Sequence, residues 1–333
     1  MCIYSFFIGS DISKSVIDIS YIVDGEPIYL GQFLNSEEGF NDFVKALLKI
    51  TDVPFCEWFI CFENTGVYSK PLLNWLISKD IACKEENAMK IARSLGLRRG
   101  KNDKVDSKDI SRYAFEKRDS IQATILSKPL IISLRKLLSR RDLLVRQKQS
   151  LSVSLTEQKS YIDENLYETL KQGDDILLKA YNDQIKIIEK LIQELIQSDP
   201  EVALNDQLAQ SVIGIGKVTS AYIIAFTANY TTFKNARKFA CYSGIAPFSN
   251  QSGTKKGKTK VSHIANKKIK SILSNCIASA ITHDPEISWY YNRKVGQGKE
   301  KGIVLNAVKN KLIHRVFSVV QRQTPYVKMM RYA

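Results

Sequence analysis

Four carboxylates, Asp11, Glu63, Asp103 and Asp106, carry the clearest chemical signal in this chain of 333 residues. Asp11 and Glu63 each close a short apolar run and have Ser- or Gly-containing sequence beside them. Asp103 and Asp106 stand three residues apart in Lys101-Asn-Asp-Lys-Val-Asp-Ser-Lys-Asp-Ile-Ser-Arg-Tyr113, a spacing that puts both on one face of a helix. Acids gathered at one point repel unless a cation neutralises them, and hard carboxylate oxygens suit Mg2+ or Mn2+. Such ions stabilise the attacking and leaving oxygens of a phosphodiester during in-line displacement. Each acid also has a plain structural role open to it. Asp11 can cap a turn, and Asp103 can be an N-cap with Asp106 at the third helical position. Asp109, rotated off the shared face, is expected to be solvated.

Other chemistries find little material. The six cysteines form no Cys-x-x-Cys pair, and there are three histidines, His263, His283 and His314. That argues against a zinc site and leaves few histidine general bases; reduced, partly buried thiols are the simpler reading. Catalysis in this chain would run on carboxylates, hydroxyls and metal.

The elements that must position the acids can be read from hydrophobic period. Ile3 to Ile8 is a short apolar strand, and Val16 to Val23 alternates apolar and polar residues as a half-buried strand does. Asp24-Gly25 makes a tight turn into a third strand, Ile28 to Leu34. Ser36-Glu-Glu starts a helix through Phe40, Phe43, Val44, Leu47 and Leu48. Trp58 to Phe62 is a compact strand ending at Glu63, followed by a helix through Leu72, Leu73, Trp75 and Leu76 and a strand near Ile81 to Lys84. The order β-β-β-α-β-α-β-α predicts a mixed α/β domain over residues 1–125.

Residues 126–205 follow a helical grammar. Leu130, Leu137, Leu144 and Leu151 repeat every seven residues, and Leu178, Tyr181, Ile185, Ile188, Ile192 and Leu195 alternate by three and four. Two long helices packed as a coiled coil are expected, with Arg141 and Lys148 interrupting the seam and a break at Gly173-Asp174-Asp175. The same seam serves packing within the chain or dimerisation. Residues 206–333 form a third, mainly helical segment. Val212-Ile-Gly-Ile-Gly-Lys217 has the look of a helix-hairpin-helix turn, which either presents N–H groups to a phosphate or simply joins two helices. Ser249 to Lys260 reads as a loop, with helices from about Ser262 to Thr282 and Ile303 to Arg322. Trp289-Tyr-Tyr-Asn-Arg-Lys294 interleaves aromatics with bases and suits either a core or base stacking.

Charge separates these segments. From Ser211 onward there are 21 Lys or Arg against three acids, Asp284, Glu286 and Glu300, whereas the preceding residues are nearly balanced. An excess sustained over a whole segment points to nucleic acid. Apolar runs fall far short of a membrane span, and the N-terminus lacks the basic region of a signal peptide, so the cytoplasm is expected.

The segments Ile8-Gly-Ser-Asp-Ile-Ser-Lys14, Phe62-Glu-Asn-Thr-Gly-Val-Tyr68 and Lys101-Asn-Asp-Lys-Val-Asp-Ser107 resemble the DEDD transposases of the bacterial insertion-sequence family 110. Ala240-Cys-Tyr-Ser-Gly-Ile-Ala-Pro247, Gln251-Ser-Gly253 and Val261 to Leu273 are similar to that family's second domain. The likeness covers nearly the whole chain, in the family's order. It implies a RuvC-like, ribonuclease-H-type N-terminal domain, a coiled-coil connector and a C-terminal transposase domain. It also implies that Asp11, Glu63, Asp103 and Asp106 bind metal and that Ser252 is the nucleophile. The two domains would then share one composite site. Gly253 would allow close backbone approach to a phosphate. Lys255, Lys256, Lys258 and Lys260 would attract the DNA backbone, as would Arg98, Arg99, Lys101, Lys267 and Lys270. Two positions depart from the family pattern: Ala265 precedes Asn266 where Gly is usual, and Lys270 stands where Arg is usual.

The resemblance further implies a recombinase that cuts and rejoins target and donor DNA through a phosphoserine link. It would be guided by a structured RNA from the element and would act as a homo-oligomer, dimer or tetramer, with no membrane partner. A metal-dependent junction resolvase or nuclease using water is the second reading, and a non-enzymatic nucleic-acid scaffold the third.

Overall fold

The computed structural model describes residues 4–94, 96, 102–124, 127–233, 235–252, 255–261 and 265–328, with the backbone alone for 249–252 and 255–260. The chain divides into two compact units, Met1–Leu126 and Ser127–Ala333.

The first unit is a five-stranded sheet in the order β3-β2-β1-β4-β5. Its strands are β1 (Phe6–Ile12), β2 (Val16–Val23), β3 (Glu26–Leu34), β4 (Trp58–Glu63) and β5 (Ala82–Glu86). The first three form antiparallel pairs, with Asp24 and Gly25 at positive φ in the connecting turn, while β4 and β5 run parallel to β1. Side chains alternate across a strand, so one sheet carries two faces. Ile8, Ile17, Ile19, Trp58, Ile60 and Phe62 fill one face together with Phe40, Phe43 and Leu47 of α1 (Glu37–Leu48) and Leu72, Leu73 and Leu76 of α2 (Lys70–Ser78). Ser36 caps α1 by accepting from the Gly39 N–H. The opposite face carries Phe7, Phe59 and Cys61 beneath α3 (Ala88–Ser94) and α4 (Asp103–Glu116), which contribute Ile91, Ile110 and Tyr113.

The second unit opens with the long helices α5 (Pro129–Gln158) and α6 (Glu164–Gln197). Ile131, Leu134, Leu138 and Leu144 of α5 and Ile192 and Ile196 of α6 are buried. The interrupting Arg141 is turned to use, its Nε donating to Glu189 Oε1 at 2.7 Å. The expected break at Gly173–Asp175 is absent: α6 passes through it, since one glycine in 34 helical residues costs only about 1 kcal/mol. The chain turns instead before Asp163, whose carboxylate caps α6 by accepting from the Asn165 and Leu166 N–H groups.

Six further helices follow: α7 (Pro200–Gln210), α8 (Lys217–Thr227), α9 (Ala236–Tyr242), α10 (Lys267–His283), α11 (Pro285–Gly296) and α12 (Lys301–Arg322). Their apolar faces join one core with the start of α5 and the end of α6. The glycine turn between α7 and α8 is explained at Gly214 by packing. This residue has φ +94 and lies so close to α10 that a Cβ would strike Ala280. The stretch expected as a loop from Ser249 is a hairpin, in which β6 (Pro247–Ser252) pairs antiparallel with β7 (Lys255–Val261). Its lysine-rich sequence looks like solvated linker, and only the pairing with Pro247–Ser252 supplies the backbone partners that make it a strand.

Candidate metal centre

Strand register assembles the site. Asp11 on β1 faces Asp18 on β2, and directly opposed residues share a face of the sheet. On the other side, one step on from the pair Ser10–Phe62, Asp11 stands beside Glu63 of β4, which in turn pairs with Glu86 of β5. Four carboxylates therefore form a row across four strands on the face covered by α4. The outer two have partners. Asp18 is buried and accepts from Tyr29 Oη at 2.6 Å and Gln32 Nε2 at 3.0 Å. Glu86, also buried, accepts from Lys90 Nζ at 3.2 Å, Tyr113 Oη at 3.1 Å and the Asn87 N–H. Burial pushes its carboxyl up, but these donors prevail and hold it below its ordinary value. Among the described residues Asp11 and Glu63 have no such side-chain donor or ion pair; the Ile12 backbone N–H alone favours the ionised form of Asp11.

Helix α4 brings the remaining acids. Its cap is Asn102, whose amide oxygen accepts from the Lys104 N–H at 3.1 Å, so Asp103 is relieved of capping. Asp103 and Asp106 then lie in the first turn, where the positive end of the helix dipole favours negative charge. The helix reaches the sheet through Gly9. A Cβ there would stand under 3.0 Å from the backbone of Ser107 and Ser111. Ser20, the strand partner of Gly9, meets Ser107 in a buried 2.7 Å hydrogen bond. Two residues past Gly9, on the same face, Asp11 meets the first turn of α4 one turn before Ser107. Asp11, Asp103 and Asp106 each offer an oxygen within 4.8 Å of the others. Burial first, then Asp106, Asp103 and Glu63, push the Asp11 carboxyl up to about 6. A close group of hard oxygens, one of them reluctant to ionise alone, can hold a metal ion.

Glu63 adds its charge to this centre from outside the group of three. Asp109 is buried, not solvated: in this helix the turn after Asp106 faces the sheet. The residues that sequence reading missed are Asp18 and Glu86. A strand register places them in the row, and only the polar positions of the alternating Val16–Val23 pattern hinted at Asp18.

Two family models match in sequence order, the transposase model for DEDD members over residues 8–158 and "Transposase IS116/IS110/IS902 family" over residues 206–292. A "Pilin gene-inverting protein" from Moraxella lacunata is 25% identical over 97% of this chain and 98% of that protein. The "Insertion element IS110 uncharacterized 43.6 kDa protein" of Streptomyces coelicolor is 26% identical over 46% of this chain and 37% of its own length. The chain belongs to this transposase family.

As a transposase it acts on DNA, and most of its other expected contacts lie in the second unit. Ser252 is the last residue of β6, in register with Lys255 of β7. Lys255, Lys256, Lys258 and Lys260 all lie on β7. Lys267 is exposed at the start of α10, and Lys270 is half-buried one turn on. Lys268 between them is committed to Asp142, to which Tyr222 Oη also donates. Asn266 caps α10, accepting from the Lys268 and Ile269 N–H groups at 3.1 Å. Arg98, Arg99, Lys101 and Gly253 lie outside the described residues. No described helix is long and apolar enough to cross a membrane.

Proposed function

We propose that this transposase recombines DNA by cutting and rejoining strands with Ser252 as nucleophile. Asp11, Glu63, Asp103 and Asp106 are its metal-binding carboxylates. The observation that carries the reading is the approach of Asp11, Asp103 and Asp106 to within 4.8 Å, with Asp11 driven up to about 6 by its neighbours and burial. The sheet order, with β2 antiparallel beside β1 and the acids meeting at strand ends and a helix start, supports a ribonuclease-H-type, RuvC-like domain. Mg2+ or Mn2+ held by these oxygens would stabilise charge on the phosphodiester oxygens as it develops.

Ser252 Oγ forms a bond to phosphorus and loses its proton to solvent. One P–O bond of the strand breaks and its oxygen leaves as a terminal hydroxyl. The phosphoserine keeps the energy of the diester, so a hydroxyl of the partner strand can displace Ser252 without a further energy source. Relatives named for pilin gene inversion support rejoining as well as cleavage. The lysines of β7 and the start of α10 would hold phosphates, a role that carries no sequence information by itself. Sequence choice then falls to a structured RNA of the element that pairs with target and donor DNA, in the manner of guided nucleases. The transposase works as a homo-oligomer in the cytoplasm.

The acidic group would serve equally in a resolvase or nuclease that activates water, because it needs no serine. Ser252→Ala separates the readings. Under the serine mechanism the variant loses strand joining by at least about a thousandfold and forms no DNA adduct on denaturing gels, while binding DNA as before. Strand joining at the unaltered rate in that variant would rule the serine out.

A further inference from the structure

The chain has three tryptophans, and they stand in opposite environments. Trp58 and Trp75 are 0% and 9% exposed within the sheet unit, whereas Trp289 on α11 is 47% exposed. One ring face of Trp289 is covered by Arg293, one turn on, with the guanidinium carbon 4.0 Å from the ring centroid. The helix beneath is firmly seated: Ile287 is fully buried, and Tyr290 packs on the core with Lys311 Nζ 4.7 Å from its ring. Trp289 is thus an exposed ring on a rigid support.

The charge around it is positive. The acids at the start of α11 are already neutralised, since Arg315 pairs with Asp284 at 2.5 Å and with Glu286 at 2.7 Å. Arg293 in the last turn of α11, and Lys299 and Lys301 at the turn between α11 and α12, have no acidic partner among the described residues, and Glu300 is the one acid within that turn. A large apolar ring costs free energy when left in water, and a stacked guanidinium holds it in one orientation. An exposed ring with cations spaced along the adjoining turn has the two parts of a single-strand site: a face on which a base stacks and charges that track the phosphates. A duplex offers neither an open base face nor the narrow backbone path.

We propose that Trp289, backed by Arg293, is a stacking platform for an unpaired base of single-stranded DNA, with Lys299 and Lys301 on the flanking phosphates. It rests on the recombinase reading only for the polymer, since strand exchange must open DNA; it needs neither Ser252 nor the carboxylates. The test uses the full chain without metal. Oligothymidylate should quench the intrinsic tryptophan emission saturably, and a duplex of equal length at the same ionic strength should quench less than about a third as much. Trp289→Phe should abolish the quench yet keep the affinity, read by anisotropy of a labelled oligonucleotide, within about threefold, because phenylalanine still stacks. Trp289→Ala should weaken binding roughly tenfold. Ser252→Ala should quench as the parent does, so failure of the serine mechanism and failure of this platform give different results. The proposal is overturned by a quench that survives Trp289→Phe, by unaltered affinity in Trp289→Ala, or by equal quenching with duplex. Tighter binding of the same sequence as RNA would also overturn it. So would a Trp289→Ala variant that alters sedimentation while binding DNA normally, which would make the ring a contact between copies.

Discussion

In the sheet unit, four carboxylates stand in one register row and two more arrive on the first turn of α4, so like charges are held against each other by rigid elements. In the helical unit the excess cations are spread over a hairpin strand, helix starts and the α11–α12 turn. The first arrangement stores repulsion in the fold. The second distributes its charges along the chain, where they act over a distance set by salt. The acid centre therefore depends on backbone positions to the ångström, and the cationic surface on the number of charges. Variants in the two units should fail differently.

The sharpest test of that contrast is Gly9→Ala. The added methyl meets backbone on α4, which cannot step aside as a side chain could, so β1 and α4 must separate. We expect a loss of about 3 kcal/mol in urea unfolding, together with loss of metal-dependent stabilisation as Asp11 parts from Asp103 and Asp106. A Gly9→Ala protein as stable as its parent would mean that the acid centre is looser than its geometry implies.

Why Gly9 escapes a reading of the sequence also explains what else does. The strands were legible because Ile17, Ile19 and Tyr21 alternate with Asp18 and Ser20, and α1 because Phe40, Phe43 and Leu47 keep helical spacing. The pair Asp103 and Asp106 was legible from the same period. The register that sets Asp11 beside Asp18 and Glu63 beside Glu86 was not, because pairing is decided between strands. Nor were the donors that neutralise the outer acids, since Tyr29, Gln32 and Tyr113 come from other elements. The hairpin at Pro247–Val261 was hidden by its lysines, and Ser252 acquires its proposed role from family likeness, as no neighbouring residue type marks it.

A smaller effect concerns the stored repulsion itself. In the metal-free fold the Asp11 carboxyl sits at about 6 against an ordinary 3.8. Between those values the folded protein keeps a proton that the unfolded chain has released. Stability therefore rises as pH falls from about 6 to about 4 and is lost again as pH climbs through 6. Asp11→Asn removes the penalty. The metal-free variant should be more stable than its parent at pH 7, on the order of 1–2 kcal/mol once solvent screening is allowed for, and level with it near pH 4. Recombination should be lost all the same. Equal melting temperatures at pH 7 would indicate that Asp11 feels its neighbours far less than their proximity suggests.

The smallest effect is expected on the cationic side, at Lys270. Burial and the nearby Lys270 charge together lower the pKa of Lys309 on α12, so these two cations repel each other as the acids of the sheet unit do. Lys270→Gln relieves Lys309 and should leave thermal stability unchanged or slightly raised. It should weaken DNA binding by only about threefold to tenfold at low salt, uniformly across sequences, and reduce the slope of log affinity against log salt by about one. A change in sequence preference would show instead that Lys270 reads a base edge. A fall in stability would show that the charge pair is offset by a contact beyond its own two helices.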